Sequence, residues 1–236
     1  MAKKTMILTG GSGKLGKFIL SNNENLNLIA PTSSEMNILN KEQILKVIKE
    51  QKPEAIVHAA AFTDVKSCEK HFLEAIKVNV QGTINVLEAC VENDLSLIFI
   101  STDAVFDGEK GNYKPNDLLN PLNKYAKTKT ASELIVRTYE KSTVIRTAFF
   151  EFDFPYEIAF CDQFTSKDYL DIIGPKILKI LENYKSGIFH VGSEKKSMYQ
   201  IAKQRRPSVK KGYTKDFYFK VPKDTSFDLK EEHGEL

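Results

Sequence analysis

The sequence contains little cysteine, no long hydrophobic run and no large excess of charge of one sign. Three cysteines occur in 236 residues, at Cys68, Cys90 and Cys161. They are odd in number, lack the spacing of metal ligands, and are typical of a reducing compartment. No apolar segment is long enough to span a membrane. A cytoplasmic protein without a metal site or a membrane partner is therefore expected.

The balance of charge and the size of the chain narrow the class further. The net charge is +3, the pI is near 8.5, and acidic residues are interleaved with basic ones. Such a mild balance argues against a nucleic-acid partner and leaves small anionic ligands open. At 42% hydrophobic residues the chain can bury a full core. One large domain with a small appendage is expected.

Short apolar runs alternate with longer amphipathic segments up to residue 147. Asn40 is placed to cap the second of the amphipathic segments, and Pro53 stops the chain beyond it. This alternation predicts an α/β fold, a Rossmann-type doubly wound parallel sheet with helices on both faces. The predicted strands are 6–9, 26–30, 55–57, 97–100 and 144–145, and the predicted helices are 15–20, 44–48, 75–91 and 125–136.

A glycine-rich segment follows the first predicted strand and opens the first predicted helix. Its spacing is Gly10-x-x-Gly13-x-x-Gly16. Backbone N–H groups at a helix start can face a pyrophosphate, and glycine lets the phosphates approach the main chain. A structural tight turn is the alternative, but the position after an N-terminal strand favours a dinucleotide site. That site would use Gly10, Gly13, Lys14, Leu15 and Gly16.

Hydroxyl side chains follow the second predicted strand, where an NAD site would have a carboxylate. Ala30 is followed by a proline and then by Thr32 and Ser33. A carboxylate at this point would bind the ribose diol of NAD, whereas hydroxyls leave room for a 2′-phosphate. NADP is therefore the predicted cofactor. NAD stays the alternative, because Glu35 is close in sequence and no arginine is placed to hold the phosphate.

Thr102, Tyr125 and Lys129 together predict a site for carbonyl reduction. Tyr125 and Lys129 are four residues apart, which places them on one face of a helix. The ammonium is expected to lower the pKa of the phenol, so that Tyr125 can protonate the oxygen as hydride reaches the carbonyl carbon. Thr102 ends a parallel strand, where its hydroxyl can hold the same oxygen. Ser101 should point to the opposite face.

A second pair with the same spacing occurs at Tyr199 and Lys203. No hydroxyl pair precedes it on a strand, so a solvated helix face is expected there. The two histidines that fall on predicted strands, His58 and His190, are interpreted as packed structural residues rather than as catalytic bases.

The pattern changes after residue 147. An aromatic stretch at 149–154 precedes a predicted helix over 168–183 and a predicted strand over 188–191. The aromatic side chains could line a sugar site by stacking or close a small core, and both alternatives stay open. Two units are predicted: residues 1–148 form the NAD(P)-binding domain, and residues 149–236 form a reduced substrate-side region partly interleaved with the sheet. The last dozen residues are expected to fray.

Five segments in this order resemble the extended short-chain dehydrogenase/reductases, and within them the dTDP-4-dehydrorhamnose reductase (RmlD-like) family. They read GGSGKLG at 10–16, AAAFTDV at 59–65, VNVQGT at 78–83, STDAVFDG at 101–108 and NPLNKYAKTK at 120–129. The resemblance implies a nicotinamide-dependent reductase of a 4-keto group on a nucleotide-linked deoxysugar. It gives Thr102, Tyr125 and Lys129 the roles described above. It further implies cofactor contacts at Asn37, Ile38, Ala60, Ala61, Thr63, Tyr125 and Lys129, where the amine can hydrogen-bond the nicotinamide ribose. Asn79 is assigned to the cofactor site as well and is expected to lie behind the active site, and substrate contacts are implied at Asp103 and Phe149.

The sequence also departs from the family pattern. Ala104 stands where many relatives have tyrosine, and Phe149 stands where tryptophan often follows the Arg-Thr pair. The stretch between Phe149 and Cys161 is some tens of residues shorter than in most members of that family. A smaller keto compound is therefore an alternative substrate. The alternative function is a non-catalytic NADP-binding regulatory or scaffold protein, like the regulatory subunit of methionine adenosyltransferase. The expected partner is a small molecule, a nucleotide sugar in the main hypothesis, and a homodimer is compatible with the sequence.

Overall fold

The computed structural model describes residues 3–216, 222–231 and 233–234. Seven strands form one sheet, in the spatial order β14-β10-β5-β4-β3-β1-β2. These strands are β1 (Thr5–Thr9), β2 (Asn27–Ile29), β3 (Ala55–His58), β4 (Ser96–Thr102), β5 (Ser142–Thr147), β10 (Gly187–Val191) and β14 (His233–Gly234). The helices are α1 (Lys14–Asn22), α2 (Lys41–Gln51), α3 (Val65–Lys70), α4 (Phe72–Ala75), α5 (Gly82–Glu92), α6 (Lys124–Val136), α7 (Leu170–Glu182) and α8 (Met198–Arg205), and a π-helix, Ile76–Gln81, joins α4 to α5.

Helices cover both faces of this sheet. On one face α2, α5 and α6 bury Ile44, Val86 and Val136 against the strands. On the other face α1 and α7 bury Ile19 and Ile173. The strands supply both cores because successive side chains of a strand point to opposite faces. The predicted doubly wound α/β class is confirmed.

The strand order changes direction at β1, and this change positions the ligand site. β1 pairs in parallel with β2 on one side and with β3 on the other, and the order then continues through β4, β5 and β10. Only β14 pairs antiparallel among the seven strands of the sheet. In open parallel sheets a crevice opens beyond the carboxyl ends of the strands at such a reversal. The ends of β1, β3, β4 and β5 meet there.

Residues after 148 contribute to two structures. β10 and β14 complete the large sheet and α7 covers it, while short strands form smaller sheets beside it. The short strands are β6 (Phe149–Phe150), β7 (Ile158–Phe160), β8 (Phe164–Thr165), β9 (Asp168–Tyr169), β11 (Lys196–Ser197), β12 (Lys210–Gly212) and β13 (Asp224–Thr225). Phe150 and Phe154 pack with Tyr169 and Ile201 in a small core. Two of the four phenylalanines at 149–154 therefore close this core, whereas Phe149 lines the cleft and Phe152 is exposed. The division of the chain at residue 148 stays a prediction.

Two local predictions in this region are wrong. The helix predicted over 168–183 begins at Leu170, because Asp168 and Tyr169 pair with β6 instead. The described part of the C-terminal dozen does not fray. Phe227 is buried, its ring lies 4.1 Å from that of His190, and β14 pairs with β10. The buried ring of Phe227 and the pairing of β14 thus hold the described part of the tail against the protein despite its polar composition.

Within the described residues there is neither a membrane-spanning helix nor a cluster of metal-binding side chains. None of the helices within 3–216, 222–231 and 233–234 is long and apolar enough to cross a membrane. The same residues contain no group of three or more His, Cys, Asp or Glu side chains that could hold a metal ion.

Candidate active site

A cleft of about 1120 Å³ opens at the carboxyl ends of β1, β3, β4 and β5. This volume is at the upper end of the range for small-molecule sites, so it can hold a ligand larger than a typical drug. Most of the residues singled out from the sequence share this cleft. Those that line it are Gly10, Gly13, Lys14, Leu15, Gly16, Thr32, Ser33, Asn37, Ile38, Ala60, Ala61, Thr63, Thr102, Asp103, Tyr125, Lys129 and Phe149.

The glycine-rich turn forms one wall of the cleft with bare backbone. Gly10 has φ +73°, and a Cβ atom there would lie 2.7 Å from the backbone nitrogen of Ala60. A Cβ at Gly16 would overlap the carbonyl oxygen of Gly10, so α1 can approach the turn only without one. Gly13 occupies the N-cap of α1 and has no side chain to cap it. The first N–H groups of α1 are therefore left for a ligand.

The end of β2 turns a carboxylate away from the cleft. Glu35 accepts hydrogen bonds from the backbone N–H and the hydroxyl of Thr32, at 2.7 and 2.8 Å. The first of these bonds, helped by the second, lowers the pKa of the Glu35 carboxyl. Thr32 and Ser33 line the cleft, and Glu35 is not among its described lining residues. Hydroxyl groups rather than a carboxylate are thus presented at the position where a ribose is expected.

Asn79 lies behind the cleft, as the resemblance implies, and its contact with a cofactor stays a prediction. It is buried and is not among the described residues that line the cleft. Its side-chain oxygen accepts from the backbone N–H of Phe62 at 2.7 Å, and its Nδ2 donates to the carbonyl of Phe62 and to the Thr128 hydroxyl. The π-helix, in which Asn79 is the buried residue, holds this side chain behind the loop that follows β3. It therefore supports that loop from behind.

Thr102, Tyr125 and Lys129 meet at the floor of the cleft. Thr102 ends β4, and its hydroxyl, which lies close enough to the Tyr125 phenol to affect its pKa, donates to a carboxylate oxygen of Asp103 at 3.2 Å. Tyr125 and Lys129 lie one turn apart on α6. The ammonium of Lys129 donates to the carbonyl of Ile100 at 2.8 Å and lies 4.0 Å from the centre of the Phe99 ring. The hydroxyl, phenol and amine predicted from the sequence therefore occupy one place.

The electrostatics of this group differ from the sequence-based expectation. Burial raises the pKa of the Tyr125 phenol, the Thr102 hydrogen bond acts to lower it, and the charge of Asp103 raises it further. The prediction that Lys129 lowers the pKa of Tyr125 is not met in this arrangement, because burial dominates and the pKa of the phenol rises. Burial lowers the pKa of Lys129 to about 7, against the opposing effect of the Glu133 carboxylate. The phenol is thus held protonated, as a proton donor requires.

A buried polar network beneath the site was not anticipated. Glu133 follows Lys129 by one helical turn and accepts a 2.6 Å hydrogen bond from Ser101. The guanidinium of Arg146 binds the same carboxylate at 2.6 to 3.1 Å and donates to the carbonyl of Pro115. Glu133 and Arg146 are both fully buried. The network ties α6 to β4 and β5, and it confirms that Ser101 points away from Thr102. The four-residue spacing from Lys129 to Glu133 was the available sequence signal.

The two predicted substrate residues have different surroundings. Phe149 lines the cleft and also packs against the core under α1 and α7. Asp103 lines the cleft, and its second carboxylate oxygen accepts from Thr225 at 3.0 Å. Asp103 therefore joins the end of β4 to the C-terminal segment as well as facing the ligand space. Lys167 also lines the cleft and was not singled out from the sequence.

The remaining candidates lie outside the cleft. Tyr199 packs on the small C-terminal core, and Lys203 donates to the carbonyl of Pro207. His58 is buried between the hydroxyls of Thr9 and Thr83, at 2.7 and 3.1 Å. Burial, followed by the charge of Lys129, lowers its pKa to about 3. His58 is thus a neutral packed residue, in agreement with its interpretation from the sequence.

The sheet, the bare glycine turn at its reversal and the hydroxyl, phenol and amine at its strand ends define a nucleotide-binding α/β protein of the Rossmann type. A family model described as the RmlD substrate binding domain matches residues 4–153. This match covers more than half of the 236 residues, and the chain belongs to that family.

Individual proteins give the same picture. A dTDP-4-dehydrorhamnose reductase from Aggregatibacter actinomycetemcomitans is 36% identical over 148 residues, which are 61% of this chain and 50% of the relative. The methionine adenosyltransferase 2 subunit beta of Bos taurus is 31% identical over 142 residues, 56% of this chain and 42% of the relative. The chain thus spans about half the length of the curated relatives it matches.

A solved structure extends the similarity beyond residue 153. The dTDP-4-dehydrorhamnose reductase of Bacillus anthracis, crystallised in complex with NADP, superposes with a TM-score of 0.86 at 26% identity. The superposition covers 96% of this chain and 90% of that one. Most of the C-terminal region therefore has a structural counterpart. The superposition leaves about a tenth of the Bacillus anthracis chain without a counterpart in this protein.

Proposed function

We propose that this protein is an NADPH-dependent reductase of the short-chain dehydrogenase/reductase type, acting on the keto group of a nucleotide-linked 4-keto-6-deoxysugar. The observation that carries the proposal is the meeting of Thr102, Tyr125 and Lys129 at the floor of a cleft whose wall is a bare glycine turn. Relatives named as dTDP-4-dehydrorhamnose reductases support the substrate class. The three free cysteines agree with a reducing, cytoplasmic setting.

The residues present fit a dinucleotide. The turn at Gly10 and Gly16 leaves no room for a Cβ atom, so the backbone itself would meet the pyrophosphate, at the uncapped start of α1. Hydroxyl side chains rather than a carboxylate line this part of the cleft, which favours NADP over NAD. The Ser33 hydroxyl would meet the 2′-phosphate, since that of Thr32 already donates to Glu35. When bound, the cofactor supplies the hydride.

The chain itself supplies the proton and holds the carbonyl. The Tyr125 phenol would donate its proton to the substrate oxygen, because burial keeps it protonated at neutral pH. The Thr102 hydroxyl would hydrogen-bond the same oxygen. Lys129, which lies one helical turn from Tyr125 and donates to the carbonyl of Ile100, would hydrogen-bond the nicotinamide ribose and so hold the cofactor beside the phenol.

The second candidate is a nucleotide-binding regulatory or scaffold protein without turnover. The observation that favours it is the similarity to methionine adenosyltransferase 2 subunit beta over 56% of this chain. The two functions share the dinucleotide cleft and differ in whether Tyr125 acts in catalysis.

The test follows NADPH oxidation with dTDP-4-dehydrorhamnose and compares Tyr125→Phe with Tyr199→Phe, a matched control on a helix outside the cleft. Tyr125→Phe should lower kcat by roughly 10²- to 10⁴-fold. NADPH affinity should stay unchanged in both variants, and Tyr199→Phe should keep full activity. Binding of NADPH without turnover of any 4-keto sugar nucleotide would favour the regulatory function. Equal kcat values for wild type and Tyr125→Phe would remove Tyr125 from the mechanism.

A further inference from the structure

The charged residues that line the cleft are unequal in number and in their partners. Among the described lining residues there are three lysines, Lys14, Lys129 and Lys167, and one carboxylate, Asp103. Lys14 forms an ion pair with Glu151 at 2.6 Å, and Lys129 donates to a backbone carbonyl. For Lys167, the described part of the chain offers the ammonium neither a carboxylate nor a carbonyl. It is the cleft lysine left for a ligand.

The carboxylates nearest Lys167 along the chain and around its aromatic neighbour are already occupied. Asp168, the next residue, binds the ammonium of Lys196 at 2.5 Å. Glu151, which follows Phe150, is the partner of Lys14. The Lys167 ammonium instead lies 4.8 Å from the centre of the Phe150 ring. An ammonium on an aromatic face keeps its other side open to an anion.

The backbone around Lys167 is fixed next to the substrate side of the site. Phe149 pairs in parallel with Asp168, so Lys167 lies beside the segment that leaves β5 and enters β6. Its backbone N–H donates to the Thr165 hydroxyl at 3.0 Å. The glycine turn, which would take the cofactor phosphates, follows a different strand, β1. Lys167 is therefore held beside the start of β6, with its ammonium over the Phe150 ring, rather than on a loose loop.

We propose that Lys167 binds the anionic group of the carbonyl substrate and makes the site selective for phosphorylated or carboxylated keto compounds. The inference rests on the proposed function and narrows its substrate class. A charge-assisted hydrogen bond from the ammonium to a phosphate or carboxylate oxygen supplies the recognition. The diphosphate of a nucleotide sugar and the carboxylate of a smaller keto acid share this chemistry.

The experiment titrates three probes into NADPH-saturated protein by calorimetry: dTDP, thymidine and pyruvate. dTDP carries the diphosphate, thymidine lacks it, and pyruvate carries a carboxylate. The variants are Lys167→Met, Lys167→Arg and a matched control, Lys211→Met, whose ammonium lies 5.4 Å from the Tyr199 ring centre outside the cleft. Lys211→Met loses the same charge and a similar aromatic contact at another place.

Lys167→Met should weaken the binding of dTDP, of pyruvate or of both by about tenfold. Lys167→Arg should stay within about threefold of wild type, since it keeps the charge. Thymidine should bind all variants alike, and Lys211→Met should match wild type. Whether dTDP or pyruvate binds more tightly to wild type identifies the source of the anion.

Three results would overturn the assignment of Lys167. They are equal affinity of Lys167→Met and wild type for both anions, a loss of NADPH affinity without a loss of anion affinity, and no binding of either anion by wild type. Failure of the proposed function looks different. If wild type binds no NADPH, both proposals fail. If wild type binds NADPH and never oxidises it, while its affinity for anions still depends on Lys167, the proposed reaction fails and the anion site remains.

Discussion

Two helices of this protein carry tyrosine and lysine with the same spacing, and only one of them builds a site. On α6, Tyr125 and Lys129 reach the end of β4, where the lysine is buried and binds the carbonyl of Ile100. On α8, Lys203 is exposed and binds the carbonyl of Pro207. Four-residue spacing places two side chains on one helix face in both cases. What lies opposite that face differs.

The surroundings of the two helices explain the difference. α6 lies on the sheet where parallel strands end, and the buried pair of Glu133 and Arg146 fixes it to β4 and β5. α8 covers a small core of the C-terminal region, with Lys211 over the ring of Tyr199. A tyrosine and a lysine become a candidate acid and its charged support when a strand end and a cleft face them. The spacing alone does not select them.

The strongest test of this contrast exchanges the two lysines for methionine. Lys129→Met should lower kcat by roughly 10²- to 10⁴-fold, because the amine that would hold the nicotinamide ribose beside Tyr125 is lost. Lys203→Met should leave kcat unchanged, since its ammonium lies outside the cleft. The measurement is steady-state NADPH oxidation with the 4-keto sugar nucleotide. Similar losses in both variants would mean that the two pairs do not differ in function.

The second test compares the ion pairs that hold the two helices. Glu133→Gln leaves the buried guanidinium of Arg146 without its counter-charge, and the free energy of unfolding should fall by about 3–5 kcal/mol. Asp171→Asn breaks the partly exposed pair with Arg205 at the end of α8 and should cost about 0–1 kcal/mol. Urea unfolding followed by circular dichroism measures both. A loss below 1 kcal/mol for Glu133→Gln would show that the network does not fix α6.

The sequence predicted the sheet, its two helical faces and most of the cleft because each depends on local signals. Asn40 accepts a hydrogen bond from the backbone N–H of Gln43, as its predicted capping role requires. Glycine spacing and the strand-end position of Thr102 likewise require no knowledge of distant contacts. These signals lie within a few residues of the elements they define.

The errors share a different origin, which is contact between residues distant in sequence. The π-helix that holds Asn79 against Phe62 was not predicted, because no periodicity of the sequence marks it. α7 begins two residues later than predicted, because Asp168 pairs with Phe149 across a loop. Lys167 was not predicted as a binding residue, because the sequence does not show that the carboxylates near it pair with other lysines. Pairing and charge neutralisation across the fold cannot be derived from local pattern.

The pH dependence of stability gives a third test, on the buried lysine of α6. Burial lowers the pKa of Lys129 from its ordinary 10.5 to about 7. Between these values the unfolded chain binds a proton that the folded chain does not. The free energy of unfolding should therefore rise with pH, by at most about 1.4 kcal/mol per pH unit from this residue. Lys129→Met lacks this contribution, so its stability relative to wild type should decline as pH rises from 7 to 10. Parallel stability profiles for the two proteins would contradict the buried, shifted lysine.

The smallest expected effects come from the caps of the two helices, and they separate stability from activity. Asn123 accepts from the backbone N–H of Ala126 at the start of α6, and Ser197 forms a capping box with Gln200 at the start of α8. Replacing either cap by alanine should cost about 1 kcal/mol of stability. Only Asn123→Ala should also lower kcat, because the first turn of α6 carries Tyr125 and fraying would displace the phenol from Thr102. Thermal unfolding and NADPH oxidation, measured on both variants, give the comparison. A loss of activity in Ser197→Ala equal to that in Asn123→Ala would place α8 within the catalytic machinery and remove the distinction between the two helices.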